Sequence, residues 1–197
     1  MWDQRYAEPG FAYGTAPNDF LREQAARFPP AGRLLSVAEG EGRNAVFLAA
    51  LGHTVTAVDQ SAVGLAKAAR LAAERKVPLA TRQADLTEFD LGIAAWDGIV
   101  SVWAHLPADV RRVFHKRCVA SLKPHGIFLL EAYSPRQLSM GTGGPSHPSF
   151  LMPLADVQNE LSGLHFEIAR EIQREVHEGA YHNGPSWVLQ ILGIKPA

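Results

Sequence analysis

The chain has 197 residues, 47% of them hydrophobic and 20% charged, a globular profile long enough for one sizeable core and short for two full domains. Lys and Arg total 19 and Asp and Glu total 20, a formal charge of −1 without the basic excess that polyanion binding asks for, so nucleic acid is not expected as the main partner. The lone Cys118 cannot close an internal disulfide, no Cys/His set suits a metal, no apolar run approaches the roughly 18 residues of a membrane helix, and MWDQRYAEPG has no leader pattern, so a reduced, cytoplasmic, single-domain protein with no membrane partner is expected.

Short apolar runs alternate along the chain with amphipathic segments. Residues 34–38 (LLSVA) are an apolar run closed by Glu39-Gly40-Glu41-Gly42, and a helical stretch follows over 44–51. Residues 54–58 (TVTAV) are β-rich and stop at Asp59, before an Ala-rich helix over 61–75 that Ser61 is placed to cap. Strands are predicted at 79–83, ending near Asp85, and at 97–102, ahead of Trp103-Ala104-His105-Leu106-Pro107. A helix over 107–122 leads through the turn Lys123-Pro124-His125-Gly126 into a fifth strand at 127–132. Residues 134–150 are rich in Gly, Pro and Ser and read as a loop. A helix at 154–162 precedes two strand-like runs, 166–176 and 187–194, whose turn contains Glu178-Gly179 and Asn183-Gly184.

Apolar strands separated by helices predict a parallel sheet covered on both faces. The fold class is therefore α/β: a Rossmann-like open sheet of five parallel strands plus a C-terminal antiparallel hairpin, in one domain over 1–197. Residues 134–150 are expected to form a lid loop or a disordered surface loop.

Gly40-Glu41-Gly42-Arg43-Asn44-Ala45 fits G-x-G-x-x-G/A between a strand and a helix, and Asp59 lies at the end of the next strand. Glycines let the backbone pass close to a ligand, and a carboxylate at the second strand end accepts both ribose hydroxyls. Two ligand classes use this geometry: a dinucleotide with its pyrophosphate at the helix N-terminus, and S-adenosylmethionine, which has a ribose but no phosphate. Glu39 and Glu41, flanking the glycines, would crowd a pyrophosphate with negative charge and tolerate a sulfonium. A dinucleotide domain also usually opens on this loop, which here follows a longer lead segment.

The runs VAEGEGRNAVFLA, VTAVDQS, WDGIVSVWAHLP and LKPHGIFLLEAY, with the opening WDQRYAEPGFAYGTAPNDFL and the terminal hairpin, together resemble a class I S-adenosylmethionine-dependent methyltransferase. The first two look like the tellurite-resistance subgroup. The family usually has an acidic residue where this chain has Ser36 and a glycine where it has Ala38, which leaves Gly40 and Gly42 to shape the loop. The resemblance implies S-adenosylmethionine as cofactor and S-adenosylhomocysteine as product. It places the backbone of Ala38, Gly40 and Gly42 under the cofactor, Asp59 on the ribose hydroxyls and Gln60 beside the adenine. Asp85 and the Leu86 amide would meet the adenine, the Val102 backbone would receive the methionine ammonium, and the N-terminal segment 1–33 would close over the cofactor through Arg5 and Tyr13. Each has a plainer alternative: a helix cap for Asp59, a turn carboxylate for Asp85, a surface ion pair for Arg5 and packing for Tyr13.

Methyl transfer needs an in-line nucleophile, and a base only if that nucleophile arrives protonated. His105, at the mouth of the fourth strand, is the candidate base, with loop bonding near Leu106-Pro107 as its alternative. Tyr133, at the end of the fifth strand, is a candidate pocket wall, and Trp103 lines the acceptor side or packs in the core. Arg111, Arg112, Lys116, Arg117 and Lys123 read as a solvated basic face. His115 and Cys118 do not make a metal site, and Cys118 reads as a small buried hydrophobe. The expected partner is a small-molecule methyl acceptor, the protein a monomer or homodimer. The other readings are an NAD(P)-binding Rossmann oxidoreductase and a non-catalytic S-adenosylmethionine-binding protein.

Overall fold

The computed structural model describes residues 2–197. Its one sheet has seven strands in the order β3-β2-β1-β4-β5-β7-β6. Strands β1 (Arg33–Val37), β2 (Thr54–Asp59), β3 (Ala80–Gln83), β4 (Trp96–Val102) and β5 (Leu122–Tyr133) are parallel. Strands β6 (His165–Glu178) and β7 (His182–Ile194) form the antiparallel hairpin, joined to the sheet through β7 on β5. The expected sheet and hairpin are both present.

Among the described residues six α-helices surround it: α1 (Trp2–Tyr6), α2 (Asp19–Gln24), α3 (Arg43–Ala50), α4 (Ala62–Glu74), α5 (Ala108–Ser121) and α6 (Leu154–Glu160). Successive strand residues point to opposite faces, and the central strands are apolar on both. Leu35, Ile99, Phe128 and Leu130 pack with Phe114 and Cys118 of α5, with Val157 of α6 and with Leu161 just after it. Leu34, Val100, Ile127 and Leu129 pack the other way, with Phe20 of α2, Leu48 of α3 and Leu65 of α4. Burial of each such side chain contributes about 1.5–3 kcal/mol, which holds helices on both faces. Cys118 is buried as a hydrophobe. Ser61 caps α4 as expected, its hydroxyl accepting from Gly64 N.

Three expectations are corrected. Strand β5 starts at Leu122, where the sequence pattern extends a helix; Leu122 pairs with Trp96 and Ile127 with Gly98, so 123–126 bulge out inside the strand instead of preceding it. Asn183-Gly184 lies within β7, paired to His177 and Val176, so the turn is confined to Gly179 and its neighbours. The α5 basic face is only partly solvated. Arg111 is 1% exposed and meets Glu160 in a two-pronged contact, Nε–Oε2 at 3.0 Å and Nη2–Oε1 at 2.9 Å. Arg117 donates to the carbonyls of Leu86, Thr87 and Phe89, while Arg112 and Lys116 stay exposed.

Strand β1 sits between β2 and β4, so chain order reverses there, and the C-terminal ends of β1 and β4 frame the crevice where open α/β sheets bind ligands. The hairpin overruns the end of β5. Tyr133 pairs with Val188, but β6 and β7 stay paired out to Glu178 and His182, so the hairpin tip stands above that crevice.

Candidate functional site at the C-terminal edge of the sheet

The turn between β1 and α3 is shaped by backbone that reverses hand. Gly40 and Gly42 have φ of +60° and +93°, and a Cβ on Gly42 would lie 2.6 Å from that of Ala68, so α3 and α4 approach only over a glycine. Ala38 takes φ +50° without being glycine, a strain of the kind stored at functional sites.

Glu39 is buried, and its Oε1 accepts the amides of Asn44 (3.0 Å) and Ala45 (2.9 Å), while Oε2 meets the Ser36 hydroxyl. Burial raises its pKa, opposed by these bonds. A dinucleotide places its pyrophosphate at this helix N-terminus, and here the chain's own carboxylate already occupies it. Glu41 is likewise engaged, by Lys67 Nζ at 2.8 Å and the Ala12 amide at 2.7 Å. Glu39 thus opposes a pyrophosphate by filling its place, while the charge of Glu41 is already paired with Lys67.

At the end of β2 the Asp59 carboxylate accepts from Gly40 N on Oδ2 and from Ser61 N on Oδ1, both at 2.8 Å. Burial raises its pKa and the amide bonds oppose that. A carboxylate offers about four lone-pair directions, so each oxygen retains one for a ribose hydroxyl. Gln60 is exposed, and its carbonyl accepts from Gln83. Asp85 is exposed and Oδ1 accepts from Thr87 N and Oγ1, which lower its pKa. Leu86 is buried in the core, and Val102 is buried at the end of β4 opposite Glu131.

Arg5 donates to Tyr13 Oη at 2.9 Å, and its guanidinium lies 4.4 Å from the centre of the Tyr181 ring. Tyr13 in turn lies against His182, ring centres 4.7 Å apart. The residue of this segment that sits on the glycine loop is one the sequence reading did not select, Tyr6. A Cβ on Gly40 would lie 2.5 Å from its hydroxyl, and one on Gly64 2.9 Å from its ring. Its only sequence signal is the Trp2/Tyr6 pair at helical spacing, which stacks at 5.8 Å.

The other half of the crevice is aromatic. Trp103 stacks on Tyr133 at 4.3 Å, and His182 stands perpendicular to Tyr133 at 5.3 Å. Glu178 accepts from Trp103 Nε1, from Arg43 Nη2 at 2.6 Å and from Asn18 Nδ2 at 2.8 Å. Burial opposes its ionisation, but His182, Arg43 and Asn18 outweigh that and hold it below the usual carboxylate range. His105 has both ring nitrogens engaged. Nδ1 meets Phe150 O at 2.8 Å, an acceptor, so it carries the proton; Nε2 accepts from Tyr133 N at 3.3 Å. Burial brings its pKa down to about 4. This is the loop-bonding geometry, with no lone pair turned toward an incoming nucleophile.

Tyr133 is fully buried, and its hydroxyl has no partner. The Ser186 hydroxyl beside it donates instead to Gly184 O at 3.1 Å. His182 Nδ1 is also buried without a hydrogen bond, 3.7 Å from Glu178 Oε2. Over both lies the glycine-rich loop, pinned by Gln137, which reaches Thr142, Gly143 O and Trp187 N. Among the described residues no group of His, Cys, Asp and Glu suits a metal, and no helix is long and apolar enough to cross a membrane.

A family model described as a methyltransferase domain matches residues 34–126, which take in the glycine loop, Asp59 and Asp85. This region is similar to a methyltransferase domain. No curated protein matches the chain. Among solved structures, a protein described as converting a disulfide bond into a thioacetal group during echinomycin biosynthesis superimposes with a TM-score of 0.77 at 16% identity, covering 98% of this chain and 88% of its own. TehB from Haemophilus influenzae gives 0.72 at 18% identity, covering 90% of this chain and 61% of its own. The magnesium protoporphyrin IX methyltransferase of Synechocystis PCC 6803, solved with bound S-adenosylhomocysteine, gives 0.66 at 15% identity, covering 89% and 78%. At these identities the likeness is one of fold.

Proposed function

We propose that this chain transfers the methyl group of S-adenosylmethionine to a small-molecule acceptor, with a thiol or reduced chalcogen compound as the first class to try and a metabolite oxygen or nitrogen as the second. The observation that carries the reading is the glycine loop itself. Glu39 seals the helix N-terminus against phosphate, Asp59 keeps free lone pairs at the ribose position, and Arg43 and Lys67 are both committed to carboxylates. That donor set fits a cationic, phosphate-free nucleoside and opposes a dinucleotide.

When bound, S-adenosylmethionine supplies a methyl carbon on a positively charged sulfur, whose departure needs no acid. The chain's own part is to bind, orient and exclude water. In this reading the amides and carbonyls of Ala38, Gly40 and Gly42 lie under the cofactor, with Asp59 on the ribose, Gln60, Asp85 and Leu86 around the adenine, and Val102 at the ammonium. Tyr6 joins Arg5 and Tyr13 as the cover. Trp103 and Tyr133 wall the acceptor side, and residues 134–150 act as the lid. The sulfur chemistry named for the echinomycin protein and the tellurite resistance of the TehB-like subgroup favour the first acceptor class.

Parallel calorimetric titrations with S-adenosylmethionine, S-adenosylhomocysteine and NADH test the reading. Binding of the first two without the third is expected, followed by transfer of labelled methyl to small thiols. Binding of NADH alone would overturn it.

A further inference from the structure

Strands β3 and β4 are parallel and separated by β2 and β1, so the chain between them crosses two strands. Such crossovers are usually helical, and a helix pairs its own carbonyls. Residues 84–95 make this crossing without a helix. Leu86 and Leu91 are buried on the α5 side of the sheet, with Phe89 packed beside them. The carbonyls left over are met by side chains. Arg117 of α5 donates from Nη1 to Leu86 O at 3.1 Å and Thr87 O at 2.9 Å, and from Nη2 to Phe89 O. Trp96 Nε1 donates to Leu91 O at 2.8 Å. Among the described residues, all the hydrogen bonds of Arg117 go to this one turn.

The peptide joining Leu86 to Thr87 is held at both ends. Its oxygen accepts from Arg117, and its N–H donates to Asp85 Oδ1 at 2.8 Å. A peptide group is a rigid plane, so the guanidinium fixes the carboxylate through it. Asp85 Oδ2 and the Leu86 amide are left without partners among the described residues. They are an acceptor and a donor one residue apart, at the strand end next to Asp59, whose carbonyl accepts from Ala84 N at 3.0 Å.

We propose that Arg117 is the positioning residue for the cofactor's base: by clamping the carbonyls of the 86–89 turn from the far side, it presents Asp85 and the Leu86 amide as an acceptor and donor pair that reads adenine. The inference rests on the methyl-transfer reading above. Adenine offers an amino donor beside a ring-nitrogen acceptor, whereas hypoxanthine turns a carbonyl toward the carboxylate instead. Arg117 itself does not touch the base. Without it three carbonyls lose their donor, and the plane that orients Asp85 is held at one end only. A lysine is a poor replacement, because a single ammonium lacks the planar fork that spans several carbonyls.

The test is calorimetric titration of wild type, Arg117→Met and Arg117→Lys with S-adenosylhomocysteine and S-inosylhomocysteine. Wild type should prefer the adenine base by about 10- to 100-fold, the discrimination that one two-point contact to a base edge supplies. In Arg117→Met that ratio should fall toward unity, with Arg117→Lys between the two. The preference for S-adenosylhomocysteine over its 2′,3′-dideoxy analogue, which reports on Asp59, should stay at the wild-type value in both variants. That separates loss of base reading from loosening of the whole crevice. If Arg117→Met does not fold, Arg117→Lys carries the comparison. A wild-type base ratio in a folded variant, equal binding of both nucleosides by wild type, or parallel loss of the base and diol preferences overturns the assignment. Wild type that binds neither nucleoside sinks the underlying methyl-transfer reading instead.

Discussion

Glu178, the last residue of β6, lies 2.6 Å from Arg43, the first residue of α3, with both side chains almost fully buried. The pair ties the hairpin tip to the glycine loop. Asn18 extends it by donating from one amide nitrogen to both Glu178 and Glu131, so the N-terminal segment, the hairpin and β5 meet at one polar knot.

Breaking such a pair by removing one partner leaves a buried charge without compensation, at a cost of about 3–5 kcal/mol. Arg43→Met is therefore expected to lower stability in urea unfolding by up to that order, since Asn18, Trp103 and Arg174 still face Glu178. The pH dependence has a definite sign. Glu178 and Glu160 are both held below the ordinary carboxylate value by their partners. A depressed carboxylate stabilises the fold above its unfolded value of about 4.3 and loses that contribution as pH falls through the folded value. Stability should fall as pH drops below about 4.3, and less steeply in Glu160→Gln than in wild type. An unchanged acid limb in that variant would remove Glu160 from the account.

Tyr6 fills the hollow between Gly40 and Gly64 and is 5% exposed. Tyr6→Ala removes most of the apolar contact holding α1 down, and large aromatic truncations at buried sites cost about 3–5 kcal/mol. The loss here should appear locally, because α1 is a five-residue helix whose other ties include only Asp3 to Ser61 and Arg5 to Tyr13 and Tyr181. Limited trypsin cleavage after Arg5 should speed up in the variant, while the global unfolding midpoint moves less. Equal protection in both proteins would argue that α1 docks without Tyr6.

The sheet was legible because its central strands are apolar on both faces, as at Leu34-Leu35 and Ile99-Val100, and that pattern depends only on local composition. The turn at Gly40 and Gly42 and the place of Asp59 at the end of β2 were legible because backbone reversal favours glycine and the apolar strand pattern stops there. The knot at Glu178 was not. It joins residues 18, 43, 131, 174 and 178, whose proximity exists only after the hairpin has folded back over the crevice. His105 illustrates the same limit. Its position after β4 marks a mouth residue, yet whether a nitrogen remains free depends on Phe150, 45 residues away. The Arg111 to Glu160 contact, which buries a residue of an apparently charged face, is equally non-local.

Ala38 holds φ +50° where a glycine would pay no steric cost. A left-handed L-residue is strained by roughly 1–2 kcal/mol, while glycine loses about 0.4–1 kcal/mol through the freedom of its unfolded chain. Ala38→Gly should therefore be neutral to stabilising by about 1 kcal/mol, the difference of those two terms, visible as a higher midpoint of thermal unfolding. A clear drop would mean that the Ala38 methyl makes a contact worth more than its strain.

Asp59 separates a purely structural carboxylate from one that binds the cofactor. Its oxygens already hold the Gly40 and Ser61 amides, so Asp59→Asn turns an NH2 group toward one of those donors and should destabilise the loop as well as weaken binding. Affinity for S-adenosylhomocysteine alone therefore does not isolate the ribose contact. Comparing S-adenosylhomocysteine with its 2′,3′-dideoxy analogue by calorimetry in both proteins does, since a coupling energy survives only where the two groups interact. Wild type should prefer the diol by about 1.5–3 kcal/mol, the range for hydrogen bonds to a charged acceptor, which is about tenfold or more in Kd. Asp59→Asn should bind the two ligands nearly alike. If the preference for the diol is the same in both proteins, Asp59 serves the turn alone and the ribose is held elsewhere.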